Sequence, residues 1–351
     1  MKNAIFLQNI TLTDLNSCDN ADSFLQSGFW GTFKAHFGWK AKGFLTDWGD
    51  YGKGPLLLIY RSLAPGISFA YIPFGPELPE HFPVGSIERS TALGECAEAL
   101  RSFLPASTAF IRFDPPWYTT FDSEPPHLEK PFSHAGADVQ PAHTVLIDLQ
   151  PDEESILQLM KAKWRYNIGL AHKKGVIIRR TDASGVDHFY DLLHETAQRD
   201  GISVHGIDYY RGLFTIDYAG KKPDLRLYEA EYQGQPLSAI VTLFHGHSAT
   251  YLYGASSNLN RNVMAPHALQ WQAMQDAKAA GCTVYDLFGI APNPDPNHPM
   301  AGLYFFKTGF GGTIIHRAGS WDYAYRPLLK HLFEKAEGIR KFVWKFRKHS
   351  H

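Results

Sequence analysis

The chain has 351 residues, 44% of them hydrophobic, and 34 Lys and Arg against 35 Asp and Glu leave a formal net charge of −1. This length exceeds one typical core and predicts two domains, while the neutral balance excludes a global basic field for nucleic acid, so any polyanion site has to be a local patch. Widely spaced Cys18, Cys96 and Cys282 without a CxxC pair, an N-terminus lacking a signal peptide's apolar run, and no stretch of ~20 apolar residues predict a soluble cytosolic protein without disulfides, structural zinc or a membrane span.

In chain order, ADSFLQSGFWGTFKAHFGW is the first amphipathic segment. Phe29, Phe33 and Phe37 recur there at helical spacing, and Lys34 lies off that stripe. Extended runs KGFLTDW, PLLLIYRSL and SFAYIPFGP follow, then a helix over IERSTALGECAEALRSFL and a short strand, AFIRFD, ending at Asp114. The polar, proline-rich stretch from Pro115 to about Pro141 reads as a long loop and as the interdomain boundary. Beyond it, strand HTVLIDL leads into one long helix, ESILQLMKAKWRYNIGLAHKKG, capped near Asp152 and stopped by Gly175. Strand VIIRRT, helix VDHFYDLLHETAQRDG and a short aromatic helix around IDYYRGLF come next. Strands DLRLYEAEY, PLSAIVTLFHG and ATYLYGAS, helix HALQWQAMQDAKAAG and strand CTVYDLFG follow in turn. After GLYFFKTGFGG, the segments IIHRAG and WDYAYR lead into a C-terminal helix.

Strand–turn–strand–helix–strand therefore occurs twice, each time ending near an aspartate, Asp114 or Asp286. A duplicated mixed α/β domain is the economical reading, and the hairpin-linked strands argue against a pure Rossmann sheet.

Several familiar chemistries are missing from the sequence. There is no dinucleotide GxGxxG at the required spacing, no P-loop, no HExxH and no GxSxG. His245 and His247 read as a plain turn before they read as metal ligands, so neither a metal nor a cofactor is expected. Without a nucleophile motif, direct transfer between two bound substrates is favoured over a covalent enzyme intermediate.

Six clusters are candidates for function. Lys307 lies between Tyr304, Phe305 and Phe306 and a glycine cluster, Gly309, Gly311 and Gly312. A cation wrapped in apolar surface is costly unless an anion meets it, so it is either a snorkelling helix-end lysine or a cation awaiting an anionic substrate or transition state. The helix KAKWRYNIGLAHKKG carries Lys163 and Arg165 among interleaved aromatics, as a solvated face or as a phosphate-binding one. Tyr209, Tyr210 and Arg211 are adjacent, and a forked guanidinium beside phenols clamps diphosphates or carboxylates when it does not merely pack on the surface. Tyr251 and Tyr253 fall on one face of their strand, and Asp286 ends another strand, where a carboxylate lines a ligand crevice or ties down the following loop. The C-terminal residues 326–351 hold eight Lys and Arg against two Glu, with Phe342, Trp344 and Phe346 mixed in, as in a basic amphipathic helix for a membrane surface or an RNA stem.

Taken as an ordered set, WGTFK, KAKWRYNIGLAHKKGV, ATYLYGAS, YDLFGI and GLYFFKTGFGG resemble the Fem family (FemABX) of non-ribosomal peptidyltransferases over nearly the whole chain. The resemblance implies two acetyltransferase-like (GNAT-type) domains, residues 1–141 and 142–319, with a C-terminal helix over 320–351 packing back on the first. It implies transfer of Gly, Ala or Ser from aminoacyl-tRNA to the peptide stem of a peptidoglycan precursor, with no cofactor. No heptad run is present, so the chain resembles the compact, armless type that acts on a UDP-linked muropeptide; a lipid-linked acceptor stays open. A cytoplasmic monomer is implied, with peripheral membrane contact through the basic C-terminal helix.

Carried over by residue, Lys307 resembles the lysine that stabilises the oxyanion. Lys34 resembles the lysine that meets the precursor's diphosphate, with Arg211 as its partner. Tyr253, or Tyr251, resembles a tyrosine of the peptide-binding cleft, beside Tyr210 and Asp286. Phe305, Lys163 and Arg165 fall toward the tRNA, and the glycines would admit the ribose of the CCA end; no general base is forced by the sequence, so substrate assistance and a carboxylate such as Asp114 both stay open. Two other classes compete: an acyl-CoA-dependent N-acyltransferase, whose pyrophosphate loop is missing from ASSNLNRNVMAPHAL, and a non-catalytic muropeptide- or tRNA-binding module.

Overall fold

The computed structural model describes residues 5–120 and 123–335. After β1 (Asn9–Thr13), the aromatic segment forms α1 (Gly28–His36), whose first turn is capped by the Ser27 hydroxyl accepting from the Trp30 N–H. Antiparallel β2 (Lys40–Asp47), β3 (Lys53–Ala64) and β4 (Ile67–Ile72) follow. A crossover through α2 (Ser86–Arg101) then brings β5 (Thr108–Phe113) parallel to β4.

The stretch read as a loop carries two short strands, β6 (Tyr118–Thr120) and β7 (Ser133–His134), and they pair into different sheets. It is less a linker than a double stitch, because its backbone groups find ladder partners on both sides.

In the second half, β8 (His143–Asp148) precedes α3 (Glu153–Leu159) and α4 (Ala162–Lys174). One continuous helix was expected here. The chain instead turns extended at Met160 and Lys161, where Met160 is buried and the Lys161 N–H donates to Gly309 O at 2.9 Å. Asp152 caps the start, accepting from the Ser155 N–H, and Gly175 ends α4 in the left-handed region. Then come β9 (Ile177–Thr181), α5 (Val186–Asp200) and α6 (Ile207–Thr215). Antiparallel β10 (Asp224–Tyr232), β11 (Gln235–His245) and β12 (Ser248–Ser256) follow, and a crossover through α7 (Ala265–Ala279) brings β13 (Val284–Asp286) parallel to β12.

The repeat read from the sequence is thus present in three dimensions. In each half an antiparallel hairpin leads to one parallel pair bridged by a helix, which is the acetyltransferase-like arrangement. The chain finishes with α8 (Ala301–Thr308), β14 (Thr313–Arg317), β15 (Trp321–Ala324) and helical residues 327–335.

The two sheets have orders β1-β2-β3-β4-β5-β15-β7 and β6-β14-β8-β13-β12-β11-β10-β9. Alternation along β3 sends Leu56 and Leu58 to a core beneath α2, and Leu57 and Ile59 to a second core shared by the two halves. That shared core also takes Trp30 and Phe33 of α1, Phe189 of α5, Tyr209 of α6, and Leu243 and Tyr253 from the second sheet. A third core packs α4 and α7 on the other face of the second sheet. Phe33 is fully buried in the shared core, so truncating it to Ala removes about 3–5 kcal/mol.

β15 returns the chain to the first sheet beside β5, and Arg112 and Asp322 lock the pair with two parallel bonds of 2.7 and 2.9 Å. Lys330 adds a contact to Asp322 at 3.5 Å, and the Phe333 ring lies 5.6 Å from that of Phe110. The basic end with Phe342, Trp344 and Phe346 lies outside the described residues. Among the described residues the longest helix, α2, has 16 residues, and no helix is long and apolar enough to cross a membrane.

Candidate active site

Lys307 occupies the last turn of α8 and is buried. Its ammonium donates to Phe288 O at 3.1 Å and Gly289 O at 2.9 Å, and it sits 4.9 Å from the centre of the Tyr251 ring. Phe288 is held at a φ of +57°, which aims its carbonyl at Lys307 while its ring packs into the shared core. Burial pulls the Lys307 pKa down to about 7, against the upward pull of Asp286. An ammonium has three protons, so two carbonyls leave one N–H without an acceptor among the described residues.

Asp286, at the end of β13, accepts from Thr144 and from the Phe288 N–H at 2.8 Å, and pairs with Arg317 at 2.8 Å. Of its two sequence readings, the structure supplies the loop tie: Asp286 shapes the turn whose carbonyls hold Lys307. Arg317 is buried, stacks 4.6 Å from the Phe74 ring of the first half, and keeps one nitrogen, Nη1, without a partner among the described residues. Asp114, at the matching end of β5, accepts from Tyr71, Ser320 and the Gln140 N–H. Burial raises its pKa to about 6 in spite of those bonds and of Arg112.

The glycine cluster admits protein, not ligand. A Cβ on Gly309 would meet the Trp164 indole at 2.0 Å, and one on Gly312 would meet Leu146 O at 2.4 Å. The indole Nε1–H of Trp164 donates to Phe306 O at 3.0 Å, so these glycines pin α8 onto α4. The expectation that they open a path for a ribose is therefore corrected.

Lys34 lies on α1, half-buried, where the two halves meet. Its ammonium stands 5.7, 5.6 and 5.4 Å from the ring centres of Trp30, Trp39 and Tyr209, and 3.5 Å from the Tyr209 hydroxyl. Burial lowers its pKa to about 8, with help from the neighbouring charge of Arg61. The Tyr209 phenol bonds Tyr253, and the Tyr253 ring meets Tyr210 at 5.2 Å. Tyr210 in turn accepts from the His205 N–H at 3.3 Å.

Tyr251 and Tyr253 do not share a face. The β11–β12 register shifts between Val241 and Thr242, leaving Leu252 as an extra residue. The bulge sends Tyr251 to the α7 core and Lys307, and Tyr253 to the shared core and Lys34.

Arg211 is not brought to Lys34. Its guanidinium bonds Asp187 at 2.5 Å, lies 3.6 Å from Asp208, and lines a groove of about 740 Å³ with Thr32, His36 and Asp217. Thr32 and His36 are two residues either side of Lys34, roughly 160–200° around the helix, so the groove meets the opposite face of α1. Arg165 bonds the carbonyls of Met160 and Gln158 at the α3–α4 junction, Lys163 is exposed, and Phe305 is 46% exposed.

Sequence reasoning passed over Arg61, Trp39, Tyr71 and Arg317. Arg61 was within reach of the alternation that places Leu57 and Ile59 on the shared-core face. Arg317 lay in a strand too short to reveal its face.

The FemAB family profile matches residues 128–225 and 218–337 of this chain. Lipid II:glycine glycyltransferase of Staphylococcus epidermidis is 24% identical over 258 residues, which is 57% of this chain and 62% of the relative. The Staphylococcus aureus enzyme of the same name is 24% identical over 263 residues, with the same coverage. The chain thus spans less than two thirds of the length of the curated relatives it matches. A crystal structure of FemX superimposes with a TM-score of 0.76 at 19% identity, over 93% of this chain and 100% of that one, and shares the fold. With its profile matched over more than half of the sequence, the chain belongs to the FemAB family.

Proposed function

We propose that the protein is an aminoacyltransferase that moves an amino acid from aminoacyl-tRNA to the stem peptide of a peptidoglycan precursor. The observation that carries this reading is Lys307, a buried ammonium with two carbonyl partners on the turn after β13 of the second half and, among the described residues, one proton without an acceptor. Family membership supports it, as do relatives named for glycyl transfer to lipid II. Glycine is therefore the first amino acid to test and lipid II the first acceptor, with alanine, serine and the UDP-linked precursor beside them.

The acceptor amine, as the free base, attacks the ester carbonyl of the charged tRNA. Negative charge gathers on the carbonyl oxygen, and the uncommitted Lys307 N–H meets it in a water-poor setting. The C–O bond then breaks, the ribose oxygen leaves with a proton, and the new amide remains on the stem. Lys34 holds the precursor's diphosphate, with Tyr253 and Tyr210 packed behind Tyr209 on the same side of the second sheet. Asp114, its pKa raised to about 6 and its oxygens already accepting from Tyr71 and Ser320, orders the first-half wall.

We divide the chain at 141/142 into two functional lobes and place the reaction in the cytoplasm, at the inner membrane face when the acceptor is lipid-linked. The test is to incubate the protein with tRNA charged with Gly, Ala or Ser and each precursor, and to weigh the products. A mass gain of one residue on the precursor is expected. No gain with any pair, in a folded sample, removes the reading.

A further inference from the structure

The two oxygens of the buried Asp286 carboxylate have different partners. Oδ1 accepts from the Thr144 hydroxyl and from the Phe288 N–H, which shapes the turn whose carbonyls hold Lys307. Oδ2 accepts from Arg317 Nη2 at 2.8 Å. The register explains this reach. Asp286 lies opposite Leu146 on β8, and Leu146 lies opposite Thr313 on β14, so alternation puts Asp286, Thr144 and Arg317 on one face of the second sheet. Arg317 therefore spans β8 to meet a carboxylate two strands away. It is also fixed from the first half. The guanidinium carbon lies 4.6 Å from the centre of the Phe74 ring. Phe74 stands at a φ of +42° between Pro73, whose carbonyl accepts from Gln26 at 2.6 Å, and Gly75, whose N–H donates to Asp114 O at 3.0 Å.

A second cation lies in the field of the same carboxylate, because Asp286 raises the basicity of Lys307. A buried carboxylate oxygen left without a donor is costly, and the Lys307 ammonium is the charge at hand to fill the gap. Bound there as well as to Phe288 O and Gly289 O, the ammonium would have all three protons committed and none to offer. Buried ion pairs add little stability beyond apolar side chains of similar volume, so a plain fold tie does not call for an arginine at this position.

We propose that Arg317 is a positioning residue for Lys307: it occupies Asp286 Oδ2, keeps the carboxylate from drawing in the ammonium, and so leaves Lys307 one N–H for a guest atom. That the guest is the ester carbonyl oxygen of a charged tRNA rests on the transferase reading above; the division of Asp286 between two cations does not. The other titratable groups on elements packed against α8 are accounted for. The Tyr251 ring of β12 lies under the ammonium, its phenol pushed up to about 12 by burial. Lys161, ahead of α4, and His267 of α7 meet the rings of Trp164 and Phe306.

The experiment compares intact wild type, Arg317→Gln, Arg317→Lys, Asp286→Asn and the double variant Arg317→Gln/Asp286→Asn, each checked by its melting curve. NMR titration of the Lys307 side chain gives one readout and steady-state transfer to the precursor the other. In Arg317→Gln the Lys307 titration is expected to move up by about one pH unit, carrying the alkaline limb of kcat with it. There kcat should fall about tenfold or more while KM for the precursor stays within about twofold. Arg317→Lys should restore most of both. The double variant, which removes the trap along with its guard, should bring the titration back down and recover part of kcat. Asp286→Asn alone should move the Lys307 titration down, which keeps the test open where Arg317→Gln does not fold; an unchanged titration there overturns the proposal. An Arg317→Gln protein that melts lower but keeps the wild-type Lys307 titration also overturns it and makes the arginine a fold tie, as does a double variant no better than Arg317→Gln. If the titration rises in Arg317→Gln but the wild type yields no product with any charged tRNA, the positioning role stands and the transferase reading falls.

Discussion

Lys34 and Lys307 are both lysines whose basicity is lowered by burial, to about 8 and about 7, yet their surroundings differ in kind. Lys34 faces three aromatic rings, among them that of Tyr209 with its hydroxyl at 3.5 Å, and the charge of Arg61, and no carboxylate pairs with it among the described residues. Lys307 is met by two carbonyl oxygens on a turn that Asp286 and a left-handed Phe288 hold in shape. The first arrangement stores attraction for a ligand that brings its own charge. The second fixes one proton in space and spends little on the ground state, as a transition-state contact requires.

Breaking the Lys307 side should have the largest effect. Lys307→Met is expected to lower kcat roughly 10²–10³-fold with little change in KM for the precursor. Comparable losses in both constants, measured by steady-state transfer, would make Lys307 a binding group like Lys34. Above pH 7 the wild-type kcat should decline as Lys307 loses its proton, and this limb should be absent from the residual activity of the Met variant.

Lys34→Ala should raise KM or Kd for the precursor about tenfold and spare kcat once substrate saturates. A kcat defect at saturation would erase the contrast between the two lysines.

A third test concerns Asp114, whose folded pKa of about 6 lies above its ordinary 3.8. A raised carboxyl contributes stability that is complete below about pH 4 and is lost as pH rises through 6. Asp114→Asn should flatten that decline in urea melts between pH 4 and 7, while costing about 1–3 kcal/mol at its base from mismatched hydroxyl donors. A slope equal to wild type would place the titration elsewhere.

The smallest effect is expected for Arg211→Ala. Its exposed pairing with Asp187 and Asp208 contributes about 1 kcal/mol or less, and precursor affinity should hold. Thermal melts and titration together check both halves of that statement.

The duplicated fold was legible because its signals are local and periodic: alternation in PLLLIYR and SFAYIPF, a cap at Asp152, a stop at Gly175. The break at Met160–Lys161 was not, since it depends on Gly309 O, far along the chain. The split of Tyr251 from Tyr253 was hidden for a similar reason, because a bulge is a property of two strands. Lys307 stood out in the sequence as one cation between aromatics and glycines. What its glycines accommodate, an indole and a carbonyl, needed the packing of α4 and β8. The resemblance made Arg211 the partner of Lys34, but Tyr209, which meets Lys34, and Arg211 sit roughly 200° apart around a helix.

β6 leaves the first half to join the second sheet, and β15 leaves the second half to join the first. The chain is thus laced across its own seam twice, with the Arg112–Asp322 fork as one of the knots. A molecule tied in this way does not breathe like a clam. On the transferase reading proposed above, its guests would have to be slender, as a single-stranded 3′ end and a stretched peptide are.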